Sequence, residues 1–313
     1  MRLRLGRPDL ARYADRFDVP AAAGGIGVTF AGVSTLLIDD GERAILTDGF
    51  FSRPGLLAVA LRRISPDERR IAAGLQRLLA ASPSLTGVDV VIPVHSHFDH
   101  ALDSAEVARA TGAVLAGGES TANIGRGAGL PEDRVALLSP GTTWRRGAWT
   151  IRMIASRHCP PDRYPGVITT PLRPPARAAA YKCGEAWSIV LAHESGRSLL
   201  VQGSAGFVPG ALSGEACDVA YLGVGQLGIQ PSSYLETYWE ETVRSVGARR
   251  VVLTHWDDFF QPLPMTAADR PLRALPYAGD DLDATMRILV PLAERDGVAL
   301  SFPTVWRRED PWR

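Results

Sequence analysis

Three of the chain's six histidines fall inside one hexapeptide, His95-Ser96-His97-Phe98-Asp99-His100, and this crowding constrains the fold more than any other feature. A helix would scatter these side chains around its circumference. A strand end followed by a tight turn instead lets His95 and His97 point to one side, following the two-residue period. The turn then carries Asp99 and His100 towards the same space. Three imidazoles and a carboxylate converging on one point suit Zn²⁺ or a similar borderline cation. The plainer alternative is a solvated polar loop after a strand. The run before the hexapeptide, Val88 to Val94, is made of small β-branched residues and reads as a buried strand. The residues after it turn helical from about Asp103 to Thr111.

The same alternation recurs along the chain. Strands are predicted at 27–30, 34–39 and 43–48, with the Asp39-Asp40-Gly41 turn as a hairpin signal. Helical spacing places Ile71, Leu75, Leu78 and Leu79 on one face of a helix from Pro66 to Ala81. Further strands are predicted at 150–155, 188–193, 198–202, 219–222, 250–254 and 298–302, and helices at 234–246 and 281–296. Tyr234, Tyr238 and Trp239 sit at helical spacing beside Leu235 and read as core packing. The Pro/Arg-rich stretch from His158 to Ala178 reads as a long loop, of the kind that is functional or mobile. No internal repeat or low-complexity tail interrupts this order. Two half-sheets covered by helices, folded as a single domain over 1–313, is the simplest account.

Composition narrows the function. Thirty-four basic residues balance thirty-four acidic ones, so bulk attraction to nucleic acid or an anionic membrane is not expected. The cysteines Cys159, Cys183 and Cys217 are too few and scattered for a disulfide framework, and there is no CxxC pair. Reduced thiols suit an intracellular protein. The N-terminal segment interleaves charges and lacks the apolar core of a signal peptide, and no run of apolar residues is long enough to span a bilayer. The expected setting is cytoplasmic, with a small-molecule substrate and no stable membrane association. Oligomeric state stays open.

The hexapeptide HSHFDH resembles the HxHxDH signature of the metallo-β-lactamase superfamily, in the same setting between a hydrophobic strand and a helix. The resemblance covers nearly the whole chain, and is nearest to the subgroup of ascorbate-phosphate lactonase-like and N-acyl-phosphatidylethanolamine phospholipase-like hydrolases. It implies a four-layer αββα sandwich with a metal site at one sheet edge. Carried residue by residue, it implies that His95, His97 and His158 hold one metal, and that Asp99, His100 and His255 form a second position. Asp48, at the end of an early strand, is implied to hold a ligand histidine in its working tautomer; an ordinary turn aspartate is the alternative. Cys159 is expected to point away from the site because its neighbour His158 points in. His193 matches nothing and is expected at the surface.

The chain departs from the pattern at Ser204, which stands where many members have a metal-bridging aspartate. Losing that carboxylate leaves the repulsion between two dications less well offset, so the second position is expected to be weaker, with Asp257 or Asp258 as possible substitutes. One or two Zn ions are expected, with Mn or Fe suiting the same ligands. The implied chemistry is hydrolysis of an ester, lactone, amide or phosphodiester bond by metal-activated hydroxide, with Asp99 as the catalytic proton carrier. Arg163, Tyr164 and Lys182 are candidate substrate contacts, with solvated loop residues as the alternative reading. Competing functions are a nuclease of the RNA-processing branch, a phospholipase-like enzyme and an iron-dependent oxidoreductase. A catalytically inactive metal- or ligand-binding protein on the same scaffold is a fourth.

Overall fold

The computed structural model describes residues 5–313. Two seven-stranded sheets dominate it. In spatial order the first contains Arg308–Glu309, Gly27–Phe30, Leu36–Asp39, Arg43–Thr47, Gly87–Ile92, Val114–Gly117 and Val135–Leu137. The second contains Ala299–Ser301, Arg250–Thr254, Val219–Gly223, Ser198–Gln202, Trp187–His193, Trp149–Ala155 and Thr143–Arg146. Each sheet is antiparallel in one half and parallel in the other.

The layering follows from the two-residue strand period. Leu36, Ile38 and Ile45 face the core shared with the second sheet, alongside Ile151, Met153 and Ile189. Their neighbours Leu37, Ala44 and Leu46 face the opposite way, onto Ile71, Leu75, Leu78 and Val107 of two helices. Both faces of the sheet are therefore covered, and strands such as Leu36–Asp39 are buried at every position. The helix Glu68–Ala80 starts where the Asp67 carboxylate accepts from the backbone N–H groups of Arg69 and Arg70. On the second sheet's outer side, Leu235 and Tyr238 of Ser232–Trp239 and Met286 and Leu289 of Leu282–Asp296 close the core. The result is the mixed α/β sandwich of the metallo-β-lactamase fold.

Several expected elements end early at the sheet edge, and the edge is where the chemistry lies. The strand expected to run to Asp48 stops at Thr47 because Asp48 is left-handed, with φ 53°. The strand expected to run to Val94 stops at Ile92, and the Val94 N–H donates to Asp48 Oδ1 instead of to the ladder. The chain turns helical at Phe98–Ala101, sooner than Asp103, placing Asp99 and His100 on a helical turn rather than in a simple loop. Val114–Gly117, helix Glu119–Gly127, Val135–Leu137, Thr143–Arg146 and Arg308–Glu309 were not foreseen.

The stretch after His158 is irregular, as expected, but it is pinned. Ile168 is buried, its N–H donates to Ser120 Oγ, and its carbonyl accepts from Asn123. Cys183 N–H donates to the Tyr164 carbonyl. Ala176–Arg177 pairs as a short strand with Arg63–Ile64.

Candidate metal centre

The edge positions bring six side chains from three segments of the chain to one place. His95, His97 and His158 offer ligand nitrogens that all lie within 4.8 Å of one another, and Asp99, His100 and His255 do the same. His95 Nε2 and His97 Nδ1 are 3.1 Å apart. The His158 ring centroid lies 4.9 Å from that of His95 and 4.7 Å from that of His97. The two trios adjoin, since the His95 and His100 rings are 4.0 Å apart.

Glycines allow this convergence. A Cβ on Gly206 would fall 2.1 Å from the Arg157 carbonyl oxygen, and one on Gly225 would fall 2.9 Å from His255 Nδ1. His255 itself is left-handed, φ 57°, and its N–H donates to the Val33 carbonyl across to the first sheet.

The hydrogen bonds behind the rings assign their tautomers. His158 Nδ1 lies 2.6 Å from the Cys159 carbonyl, which can only accept, so Nδ1 carries the proton and Nε2 is bare. His100 Nδ1 sits 2.8 Å from Asp48 Oδ2, and this carboxylate also accepts from Val94, so His100 donates backwards and presents Nε2 to the site. That Nε2 is fully buried and has no hydrogen-bond partner; the nearest carboxylate oxygen, of Asp99, is 3.8 Å away. An unpartnered buried nitrogen costs about 1–3 kcal/mol, and a cation held between the trios removes the debt. The residues fit a metal.

The electrostatics differ between trios. Burial, and then the neighbouring imidazoles, pull His95 below the usual histidine range and His158 down to about 4, and burial lowers His97 against the opposing pull of Asp99 and Asp162. They remain neutral ligands at ordinary pH. Burial opposes charge on Asp99 as well, but His100 and His255 outweigh it and hold the carboxyl well below its usual range. His255 Nε2 lies 3.4 Å from Asp99 Oδ2.

The trios floor a cavity of about 540 Å³, which His97, Asp99, His158 and His255 reach. Its walls are largely apolar, from Leu56, Val59, Phe98, Phe259, Phe260 and Leu275, with Arg163, Tyr164 and Gln226 as polar groups.

Other expectations meet the structure as follows. Asp48 stands behind His100, not in an idle turn. Ser204 lines the cavity and its Oγ accepts from the Cys159 N–H. Neither Asp257 nor Asp258 replaces the missing carboxylate: Asp257 is spent on the buried Arg53 guanidinium at 2.5 Å and on the Val33 N–H, and Asp258 pairs with Arg7. Arg163 and Tyr164 reach the cavity, but Lys182 does not line it. Cys159 is buried with its thiol turned towards the Pro160 carbonyl, away from the ligands. His193 is not a free surface residue: it is half-buried, packed on the Trp149 ring and 3.6 Å from Asp40. Tyr238 and Trp239 are fully buried, as core packing requires.

The sequence reading missed Asp162 and Cys183, which form a third group with His97, and the cavity walls at Phe259 and Phe260. Asp162 lies in a loop with no periodicity to flag it; Phe259-Phe260, just past His255, was a usable signal.

Among known proteins, residues 28–177 match the family model of the metallo-beta-lactamase superfamily. No curated protein matches the chain. Among solved structures, the chain is similar to CmlA, a diiron beta-hydroxylase from Streptomyces venezuelae (13% identity, TM-score 0.53), with 93% of this chain and 55% of that one covered. It is also similar to a candidate metal-dependent hydrolase from Parabacteroides distasonis (12%, TM-score 0.50, covering 92% and 99%). A third is Igni18, a metallo hydrolase from Ignicoccus hospitalis (15%, TM-score 0.49, covering 89% and 95%). At such identities these likenesses concern the fold alone. The family model matches a little under half of the chain, and the solved structures show the likeness of fold.

Proposed function

We propose that the chain is a metal-dependent hydrolase acting on a small molecule through an ester, lactone, amide or phosphodiester bond. The observation that carries the reading is the convergence of two ligand trios, with the orphaned His100 Nε2 between them, at the floor of a cavity. His95, His97 and His158 would hold the first cation, and Asp99, His100 and His255 a weaker second. Zinc suits three imidazoles best, and Mn or Fe would be accepted. A cation there supplies Lewis acidity towards a carbonyl or phosphoryl oxygen and makes water a stronger acid.

The chain's own residues do the rest. Asp99 stays ionised, so its Oδ atoms can orient a water and take its proton. Asp48 fixes the His100 ring, and the Cys159 carbonyl fixes that of His158. The apolar wall from Leu56 to Phe260 excludes water and packs the substrate's apolar part, while Arg163 and Tyr164 face its polar part. The three cysteines are free and buried, which suits a reducing cytoplasm, and we take 1–313 as one domain. Among the described residues no helix is long and apolar enough to cross a membrane.

A panel of simple lactones, aryl esters, anilides and bis-aryl phosphodiesters, assayed with metal-loaded and metal-stripped protein, tests this. At least one class should be cleaved only by the loaded form. Asp99→Asn should lower kcat by about 10²–10⁴-fold. A loaded protein that cleaves none of them would shift the reading to an inactive binding protein.

A further inference from the structure

His97 has polar groups close against both nitrogens: Nδ1 lies 3.1 Å from His95 Nε2, and Nε2 lies 3.2 Å from Asp162 Oδ1 beside the Tyr164 carbonyl. Nothing in the superfamily signature names Asp162, which lies in the irregular stretch after His158. Resting on the metal-centre reading above, we propose that Asp162 is a positioning residue that fixes the ring and tautomer of His97. It does for the first cation position what Asp48 does for the second.

Three observations support this. First, the Asp162 carboxylate has the Tyr164 N–H, the His97 ring and the Cys183 thiol around it. The Tyr164 N–H donates to the same Oδ1 at 3.0 Å. The buried Cys183 thiol, which burial and then Asp162 keep protonated, lies within 4.8 Å of the same carboxylate. Second, the competing acceptor for His97 Nε2 is the Tyr164 carbonyl at 3.4 Å. That carbonyl meets hydrogen-bond geometry, and the Asp162 carboxylate stands beside it as the nearer and charged oxygen, so both favour the proton on Nε2 and the carboxylate adds the stronger attraction. Third, donation from Nε2 leaves Nδ1 bare on the side facing His95 and His158, the arrangement a shared cation requires. The loop that carries Asp162 is held in register by Cys183 N–H on Tyr164 O and Gly184 N–H on Gly166 O. Its position is therefore set by the fold rather than by the metal.

Asp162→Asn separates this role from loop anchoring. An asparagine keeps an acceptor for the Tyr164 N–H but removes the charge that holds the imidazole N–H. Zn²⁺ affinity measured by competition with a chromophoric chelator should fall roughly 10–100-fold in Asp162→Asn, and Asp162→Glu should restore part of it. Cys183→Ser, which leaves the carboxylate in place, should stay within about threefold of wild type. Affinity unchanged in Asp162→Asn, or an equal loss in Cys183→Ser, would overturn the proposal. Nitrogen-15 spectra of the metal-free wild-type protein give a readout that needs no variant: His97 should be the Nε2–H tautomer, and an Nδ1–H tautomer would contradict the assignment. A wild-type chain that takes up no Zn²⁺ at all is a separate result, and it would overturn the metal-centre reading itself.

Discussion

His95, His97 and His158 face one another with a carboxylate only behind, Asp162 at His97, whereas Asp99, His100 and His255 include a carboxylate among the ligands and have Asp48 behind as well. The first trio is kept neutral chiefly by burial, reinforced by neighbouring imidazoles at His95 and His158 and opposed by Asp99 and Asp162 at His97. In the second, burial opposes charge on His100, but Asp48 and Asp99 overcome it and raise its pKa. Without a cation the second trio can satisfy itself with a proton; the first cannot without placing a charge among three imidazoles. A metal therefore competes with little at the first position and with a favourable proton at the second. Ser204, where a carboxylate would offset two dications, adds to the difference. The first position should be tight and tolerant of pH, the second weak and sensitive to it.

The severest way to break the comparison is His97→Ala, which removes a nitrogen from the first trio. Metal at that position should weaken by about 100-fold or more, since coordination also depends on the full ligand set. Equilibrium dialysis would show it, and full occupancy would contradict the assignment. Asp48→Asn should act on the other trio. The second position should weaken roughly 10–100-fold, the first should be spared, and chemical denaturation should show a loss of about 1–3 kcal/mol from the buried network.

Acid should separate the positions further. As pH falls, His100 takes its proton first because its pKa is raised, and the second position should empty while the first still holds. His158 protonates only near about 4. The metal-free protein has its own dependence. A histidine whose folded pKa lies below the unfolded 6.5 leaves the unfolded chain binding more protons between those values. Stability from His95, His97 and His158 is then present above pH 6.5 and lost as pH falls below it, for His158 down to about 4. His100 contributes in the opposite sense, lost as pH rises through its raised pKa, but it is one group against three. Urea midpoints between pH 4 and 8 should therefore decline on the acid side. The smallest effect is expected from Ser204→Asp, which should tighten the second position by about tenfold at most, or about 1.4 kcal/mol. No change on calorimetric titration would mean that Ser204 does not stand at the bridging place.

Much of this arrangement was legible in the sequence, and for a physical reason. Ligands crowd where a buried strand ends, so Val88–Val94 running into His95-Ser96-His97 announced both a sheet and its edge. His158 and His255 could be placed because each follows a hydrophobic strand, Trp149–Ala155 and Arg250–Thr254. What the sequence hid was tertiary. Asp257 looked free to join the site until the buried Arg53 claimed it. His193, in a polar strand end, gave no sign of packing on Trp149. Asp162 sits among prolines and arginines where no period operates, and only the fold brings it to His97. Asp48 carries a left-handed backbone that shortens its strand and aims the carboxylate at His100, which residue type alone does not encode.

The central claim is that distant imidazoles share a cation, and X-ray absorption at the metal edge of protein purified without added metal salts tests it most directly. At least one equivalent of metal is predicted, with a first shell dominated by imidazole nitrogens at about 2.0–2.1 Å if the metal is zinc. A protein carrying no stoichiometric metal, or one whose shell is sulfur-rich and lacks imidazole scattering, would contradict the account.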